Sequence, residues 1–338
     1  MKIAATSEAA STARPALADR FGRIKKKLRL SLTDRCNYRC LYCMPECPVW
    51  KPRADILRFE ELHALVGLFV GKFGIEQVRI TGGEPLVRRG AARFVGMLQS
   101  LRPAGLERVS LSTNGAMLSR AAGALAAAGL DDVNVSLDAL SPALFSSMTG
   151  GGRVSDVLRG IESARRAGLR VKLNAVVIRG LNENEVVPLT EWAVAEDLPL
   201  RFIEFMPLDG RGFWSEDKVV AEKEILTLVS ERFDVSALPR TNDPASYYLL
   251  DSKFQLGIIA TVSNPFCASC DRARLTAEGR LFSCLFAPAG VDLREELRAG
   301  RLDALDSLVR EAIWNKPAGF IERRGRGRGE VSMNVLGG

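Results

Sequence analysis

Cys36, Cys40 and Cys43 stand with three and then two residues between them, in Asp34-Arg35-Cys36-Asn37-Tyr38-Arg39-Cys40-Leu41-Tyr42-Cys43-Met44-Pro45. Thiolates are the usual ligands of iron–sulphur clusters, and a cubane normally takes four. Three ligands leave one iron open, which is what a metal centre needs if it is to act on a bound molecule. Zinc is the competing occupant; it wants a fourth ligand nearby, and Cys47 is in range. A second triplet has Cys267 and Cys270 two residues apart and Cys284 after 13 more, with no cysteine or histidine following. Two incomplete triplets in one chain are hard to assign to structural zinc. The seventh cysteine, Cys47, is then a bystander.

These ligands need elements to hold them. From about residue 28 to 206, short β-branched runs alternate with segments of helical period. The pattern predicts strands at 28–33, 77–81, 108–113, 132–137, 170–177 and 200–205, with helices near 59–73, 91–101, 119–128, 154–167 and 184–196. Six strands joined by helices imply right-handed parallel connections. A partial barrel and a flat doubly wound sheet both fit, and both place functional residues at the C-terminal ends of the strands. The first triplet follows the first strand. Residues 207–218, rich in Gly, Pro and Asp, look like a connection, 219–235 like a helix, and the rest like a smaller second domain.

The composition narrows the chemistry. The 338 residues carry 47 Lys plus Arg against 40 Asp plus Glu, a net +7 that calls for an anionic ligand without saying which. Part of the excess sits in Lys25-Lys26-Lys27 and in Arg323-Arg324-Gly325-Arg326-Gly327-Arg328, and the second run reads as a solvated tail. The single histidine, His63, lies in a helical segment, so histidine acid–base chemistry is not expected. No stretch is long and apolar enough to span a bilayer, and residues 1–20 lack the apolar core of a signal peptide. The expected setting is cytoplasmic, with reduced thiols, no membrane and no nucleic-acid partner, and with 1–20 a disordered extension.

The first triplet resembles that of the radical S-adenosylmethionine (radical SAM) family, with an aromatic residue before its last cysteine. Thr81-Gly82-Gly83-Glu84-Pro85 resembles that family's motif for the methionine amino group, and Asn134-Val135-Ser136-Leu137-Asp138 and Phe205-Met206 also fall at strand ends. The resemblance implies a 4Fe-4S cluster on Cys36, Cys40 and Cys43 whose open iron is chelated by S-adenosylmethionine, and a 5'-deoxyadenosyl radical made from it. It implies an α/β fold, a partial (β/α)6 TIM-like barrel over 21–206, with a C-terminal cluster-binding domain over 207–338.

From about Leu28 to Gly338 the chain closely resembles a narrower family, the GTP 3',8-cyclases of molybdenum-cofactor biosynthesis. The most specific segments are Leu30-Ser31-Leu32-Thr33-Asp34-Arg35-Cys36-Asn37, Arg79-Ile80-Thr81-Gly82-Gly83-Glu84-Pro85-Leu86, Arg201-Phe202-Ile203-Glu204-Phe205-Met206, the second triplet with Arg272 and Arg274, and the terminal Gly337-Gly338. Leu336 stands where Ile is commoner in the family. The resemblance implies a second 4Fe-4S cluster on Cys267, Cys270 and Cys284 that contacts guanine. It implies removal of the ribose 3' hydrogen and attack on guanine carbon 8, giving 3',8-cyclo-7,8-dihydro-GTP. Arg29, Arg79, Ser112, Lys172, Arg272 and Arg274 line up with GTP contacts. Tyr42, Gly83, Ser136 and Met206 line up with S-adenosylmethionine contacts, and Arg29, Gly337 and Gly338 with the catalytic set. An external electron donor, a downstream cyclic pyranopterin monophosphate synthase and a homodimer are expected as partners. Two rivals remain: another radical enzyme with an auxiliary cluster, acting on a peptide or a haem, and a non-enzymatic metal or nucleic-acid binder.

Overall fold

The computed structural model describes residues 16–208, 210–320 and 333–337. Six parallel strands follow in order: β1 (Lys27–Ser31), β2 (Gln77–Thr81), β3 (Arg108–Thr113), β4 (Asp132–Ser136), β5 (Arg170–Val177) and β6 (Leu200–Glu204). Helices return the chain between them: α1 (Phe59–Gly71), α2 (Ala91–Leu98), α3 (Leu118–Ala127), α4 (Pro142–Thr149), α5 (Val154–Arg166) and α6 (Val186–Ala195). The strand alternation has a physical reading. One face of each strand is apolar and buried, with Leu28 and Leu30, Val78 and Ile80, Val109 and Leu111, Val133 and Val135, and Leu173 and Ala175. The intervening positions are polar, including Arg29, Arg79, Ser110, Lys172, Asn174 and Arg201, and all of these line a single cavity. One face of six strands can enclose one cavity only if the sheet curls around it. The sheet is not closed by hydrogen bonds.

The chain beyond β6 builds no separate sheet among the described residues. It adds α7 (Glu222–Ser230), β7 (Val235–Ala237), β8 (Ser246–Leu250), β9 (Phe254–Ile259), β10 (Arg272–Leu275), β11 (Arg280–Phe282), β12 (Val291–Asp292), α8 (Arg294–Arg298), α9 (Leu302–Trp314) and α10 (Met333–Leu336). The strand order is β12-β11-β10-β1-β2-β3-β4-β5-β6-β9-β8-β7, so β10 lies parallel beside β1 and β9 parallel beside β6. Cys267 and Cys270 lie on the connection from β9 to β10, which runs from the β6 side of the six parallel strands to the β1 side, and Cys284 follows β11.

The structure differs from expectation in several places. The helix expected over 219–235 is shorter, because α7 ends at Ser230 and the chain turns into β7 at Val235. Helix α4 had no counterpart in the pattern, because at eight residues it shows barely two turns of periodicity; Ser141 caps it and Pro142 opens it. The first strand ends at Ser31, before Leu32 and Thr33, where the chain turns into the cysteine loop. The packed chain begins inside the stretch expected to be disordered: Leu17 and Asp19 are buried, because Asp19 accepts from Lys25 and Arg23. The arginine run at 323–328 lies outside the described residues. Among those described, no helix is long and apolar enough to cross a membrane.

Candidate functional site: a cavity with a cysteine triplet at each side

One cavity is lined by Cys36, Cys40 and Cys43 and also by Cys267, Cys270 and Cys284. Arg29, Arg79, Ser112, Lys172, Arg272 and Arg274 line it too, as do Tyr42, Gly83, Ser136 and Met206. Of the residues singled out in the sequence, Gly337 sits at its edge, and Gly338 lies outside the described residues. Cys47 is exposed and does not line the cavity.

The loop that follows β1 is held by backbone contacts. Gly83 N–H donates to the Thr33 carbonyl at 2.8 Å and Glu84 N–H to the Arg35 carbonyl at 2.8 Å. A Cβ on Gly83 would lie 2.3 Å from the Arg35 oxygen, and one on Gly82, at φ +138°, would lie 2.4 Å from the Thr33 oxygen. The glycine pair is therefore required by the close approach of two backbones, whatever ligand it also meets. Glu84 is fully buried and accepts from the Thr113 hydroxyl, the Asn114 N–H and the Leu86 N–H, which ties the ends of β2 and β3 together. Burial pushes its carboxyl up to about 7 against those three donors. On the far side, the Tyr42 hydroxyl donates to Asp138 at the end of β4 at 2.7 Å. Arg211, from the connection after β6, donates to the carbonyls of Met44 and Arg39 and clips the loop from outside.

The thiols differ between the triplets. Burial raises Cys36 to about 11 and Cys43 to about 12, and raises Cys40 well above the usual thiol range. A thiolate there needs a bound cation to replace the proton. Cys270 goes the other way. Burial pushes its thiol up, but Arg272 and Lys316 outweigh it and bring it down to about 6. The Lys316 ammonium donates to the Cys270 sulfur at 3.1 Å, and the Phe320 N–H donates to the Cys267 sulfur at 3.3 Å.

Among the described residues, no three Cys, His, Asp or Glu side chains close on a point as ligands of a single ion would. Three thiols would suit three irons of a cubane, whose ligands bind separate irons, where a zinc ion would want four ligands around one point. His63 is not a spare ligand; it sits on α1 in hydrogen-bond contact with Ser100.

Between the triplets lies a ring of cations. Arg274, Arg29 and Arg79 are register partners on β10, β1 and β2. Burial lowers Arg29 well below the usual guanidinium range, and Arg274, Arg79, Arg272 and Arg201 add to the effect. Burial also lowers Arg79 and Arg274 to about 10, and lowers Lys172. Arg29, Arg79, Arg274 and Lys172 form no ion pair among the described residues, whereas Arg108 pairs with Asp132 at 2.6 Å. Barrel interiors are ordinarily filled by branched apolar side chains. A barrel that buries facing guanidiniums instead is built for a polyanion.

The chain's end closes this region. The Gly337 carbonyl accepts from Arg274 at 2.6 Å, the Val335 carbonyl accepts from Ser31 at 2.9 Å, and Asn334 donates to the Asp34 carbonyl at 3.2 Å. At φ +73°, a Cβ on Gly337 would stand 2.2 Å from Thr81. Sequence reasoning did not single out Arg201, which hydrogen-bonds to Asn134 and, at 3.0 Å, to Asn174 inside the curl. A charged residue at an inward position of a buried strand was the available signal. For Lys316, 46 residues beyond Cys270, the sequence carries no signal.

The radical SAM superfamily model matches residues 30–193, and the Molybdenum Cofactor Synthesis C model matches 198–321. A GTP 3',8-cyclase of Streptomyces coelicolor is 46% identical over 310 residues, covering 90% of each chain. One from Rhodopirellula baltica is 43% identical over 333 residues, covering 96% of this chain and 92% of its own. GTP 3',8-cyclase 2 of Mycobacterium tuberculosis is 43% identical over 313 residues, covering 90% and 86%. The crystal structure of Streptococcus suis SuiB bound to S-adenosylmethionine superposes with a TM-score of 0.61 at 13% identity, over 86% of this chain and 67% of that one, a likeness of fold alone. With identity at this level along nearly its whole length, the chain belongs to the GTP 3',8-cyclase family of radical SAM proteins.

Proposed function

We propose that this chain is a GTP 3',8-cyclase, converting GTP to 3',8-cyclo-7,8-dihydro-GTP in the first step of molybdenum-cofactor biosynthesis. A 4Fe-4S cluster on Cys36, Cys40 and Cys43, with S-adenosylmethionine on its open iron, supplies a carbon radical by one-electron cleavage of the sulfonium bond. The protein's part is to bind, orient and shield. Tyr42, Gly83, Ser136 and Met206 seat S-adenosylmethionine at the strand ends. Arg29, Arg79, Lys172, Arg272 and Arg274 hold the triphosphate, with Ser112 beside them, and so fix the ribose at reacting distance. Cys267, Cys270 and Cys284 hold a second 4Fe-4S cluster that meets the guanine. The Gly337 carbonyl orients Arg274, and Gly337-Gly338 with Arg29 complete the catalytic set. In this reading 21–206 forms the barrel unit and 207–338 the auxiliary-cluster unit, the protein is a cytoplasmic homodimer, and it takes electrons from an external donor. It hands its product to a cyclic pyranopterin monophosphate synthase.

The observation that carries the reading is that Arg29, Arg79 and Arg274, which form no ion pair among the described residues, share one cavity with two cysteine triplets. A peptide-modifying enzyme has no use for such a ring. A nucleoside triphosphate supplies the missing charge. The test is anaerobic reconstitution with iron and sulfide, then incubation with GTP, S-adenosylmethionine and dithionite. The expected products by chromatography and mass spectrometry are 5'-deoxyadenosine and a nucleotide isomeric with GTP and of the same mass, since the hydrogen lost from carbon 3' is replaced by one electron and one proton on quenching. Formation of 5'-deoxyadenosine with a peptide substrate and none with GTP would move the chain to the rival class.

A further inference from the structure

Lys316 is a buried lysine whose ammonium meets a cysteine sulfur. The residue follows α9 and is 1% exposed. Its ammonium donates to the Cys270 sulfur at 3.1 Å and to the Arg272 carbonyl at 2.9 Å. It forms no ion pair with a carboxylate among the described residues. Lys25, the other lysine at Cys270, is different. Its ammonium donates to the Cys270 carbonyl at 2.7 Å and pairs at 2.8 Å with the Asp19 carboxylate, which also takes Arg23 at 2.7 Å. The Lys316 ammonium therefore meets the sulfur itself, where Lys25 meets only the backbone of the same residue.

We infer that Lys316 is a positioning residue that sets the reduction potential of the second cluster, raising it above the value the three thiolates alone would give. This rests on the proposed reading that Cys267, Cys270 and Cys284 hold a 4Fe-4S cluster. One electron from an external donor adds one negative charge, which spreads over the iron, sulfide and thiolate atoms. A fixed ammonium at one thiolate, donating a hydrogen bond to it, stabilises the reduced form more than the oxidised one. Lys25 reaches the Cys270 carbonyl and makes no such hydrogen bond to the sulfur. The effect acts on the second cluster alone, since Lys316 touches neither Cys36, Cys40 nor Cys43.

The test is a dithionite titration of the reconstituted full-length protein, followed by electron paramagnetic resonance without GTP. The first cluster's signal is identified as the one that changes on adding S-adenosylmethionine. In Lys316→Met the reduced-to-oxidised ratio of the second cluster at a fixed potential should fall about tenfold or more, equivalent to about 59 mV for one electron. Lys316→Arg, which keeps the charge, should stay near wild type, and the first cluster should not move in either variant. If Met costs the cluster itself, Lys316→Gln carries the comparison, since it keeps a donor and drops only the charge. An unmoved second potential in a variant with full iron content overturns the inference, as does an Arg variant that falls as far as Met. Iron for a single cluster in the wild type would remove the two-cluster reading and the inference with it.

Discussion

Arg79→Met removes a guanidinium from the inner face of β2 and leaves a side chain that follows much of the same path. The side chain of Arg79 is enclosed, and burial, reinforced by Arg201, lowers its guanidinium from 12.5 to about 10. At about 1.4 kcal/mol per pH unit, holding that charge costs the ligand-free protein about 3 kcal/mol. The Met variant escapes this cost, so its ligand-free form should be more stable by about 1–3 kcal/mol. GTP binding should move the other way. A charge-assisted contact to a phosphate is worth about 2–4 kcal/mol, so the dissociation constant should rise by about 30- to 1000-fold. The two readouts are anaerobic denaturant titration of the cluster-loaded protein without nucleotide, and calorimetric GTP binding. Opposite movement is the mark of a residue kept for its ligand at the expense of stability. A Met variant that is less stable than wild type and binds GTP equally well would refute the reasoning.

Four further substitutions probe the rest of the site. Cys270→Ala should halve the iron content by losing the second cluster, and Cys47→Ala should leave both; equal iron loss in the two variants would sink the ligand assignment. Gly83→Ala, with its methyl 2.3 Å from the Arg35 oxygen, should destabilise the first cysteine loop by about 3 kcal/mol. It should therefore cost the first cluster and S-adenosylmethionine binding while the second cluster remains, read by iron counting and calorimetry. Glu84 is a pH-dependent element. Its folded value of about 7 lies above the ordinary carboxyl value of 4.5, so the folded chain holds this proton more tightly. The contribution is complete below about pH 4 and lost as pH rises through about 7, up to about 3 kcal/mol. Glu84→Gln should flatten the stability profile between those limits in denaturant titrations; parallel profiles for the two proteins would count against it.

Much of the fold was legible because the parallel strands obey local rules. β2, β3 and β5 coincide with the β-branched runs at 77–81, 108–113 and 170–177, and α5 buries Val154, Val157, Ile161 and Ala164 at helical spacing. The edges were not legible. That β10 pairs with β1 and β9 with β6 depends on contacts more than 50 residues apart along the chain, which no window of sequence reports. The same holds for the site. Cysteine spacing named both triplets, and the arginines of the second cluster stood beside a ligand. The inward polar layer, in which Arg201 reaches Asn134 and Asn174, became visible only once the sheet's curl set three strands around one space. Lys316 shows the limit most plainly: a lysine after a helix reads as a surface charge until the fold seals it against Cys270.

Transfer of the ribose 3' hydrogen tests the account at its centre. GTP deuterated at carbon 3' should be turned over by the reconstituted protein with S-adenosylmethionine and dithionite, and the deuterium should appear in the 5'-deoxyadenosine, one atom per molecule, alongside cyclised nucleotide. Unlabelled 5'-deoxyadenosine, formed while the labelled GTP is recovered intact, would contradict it.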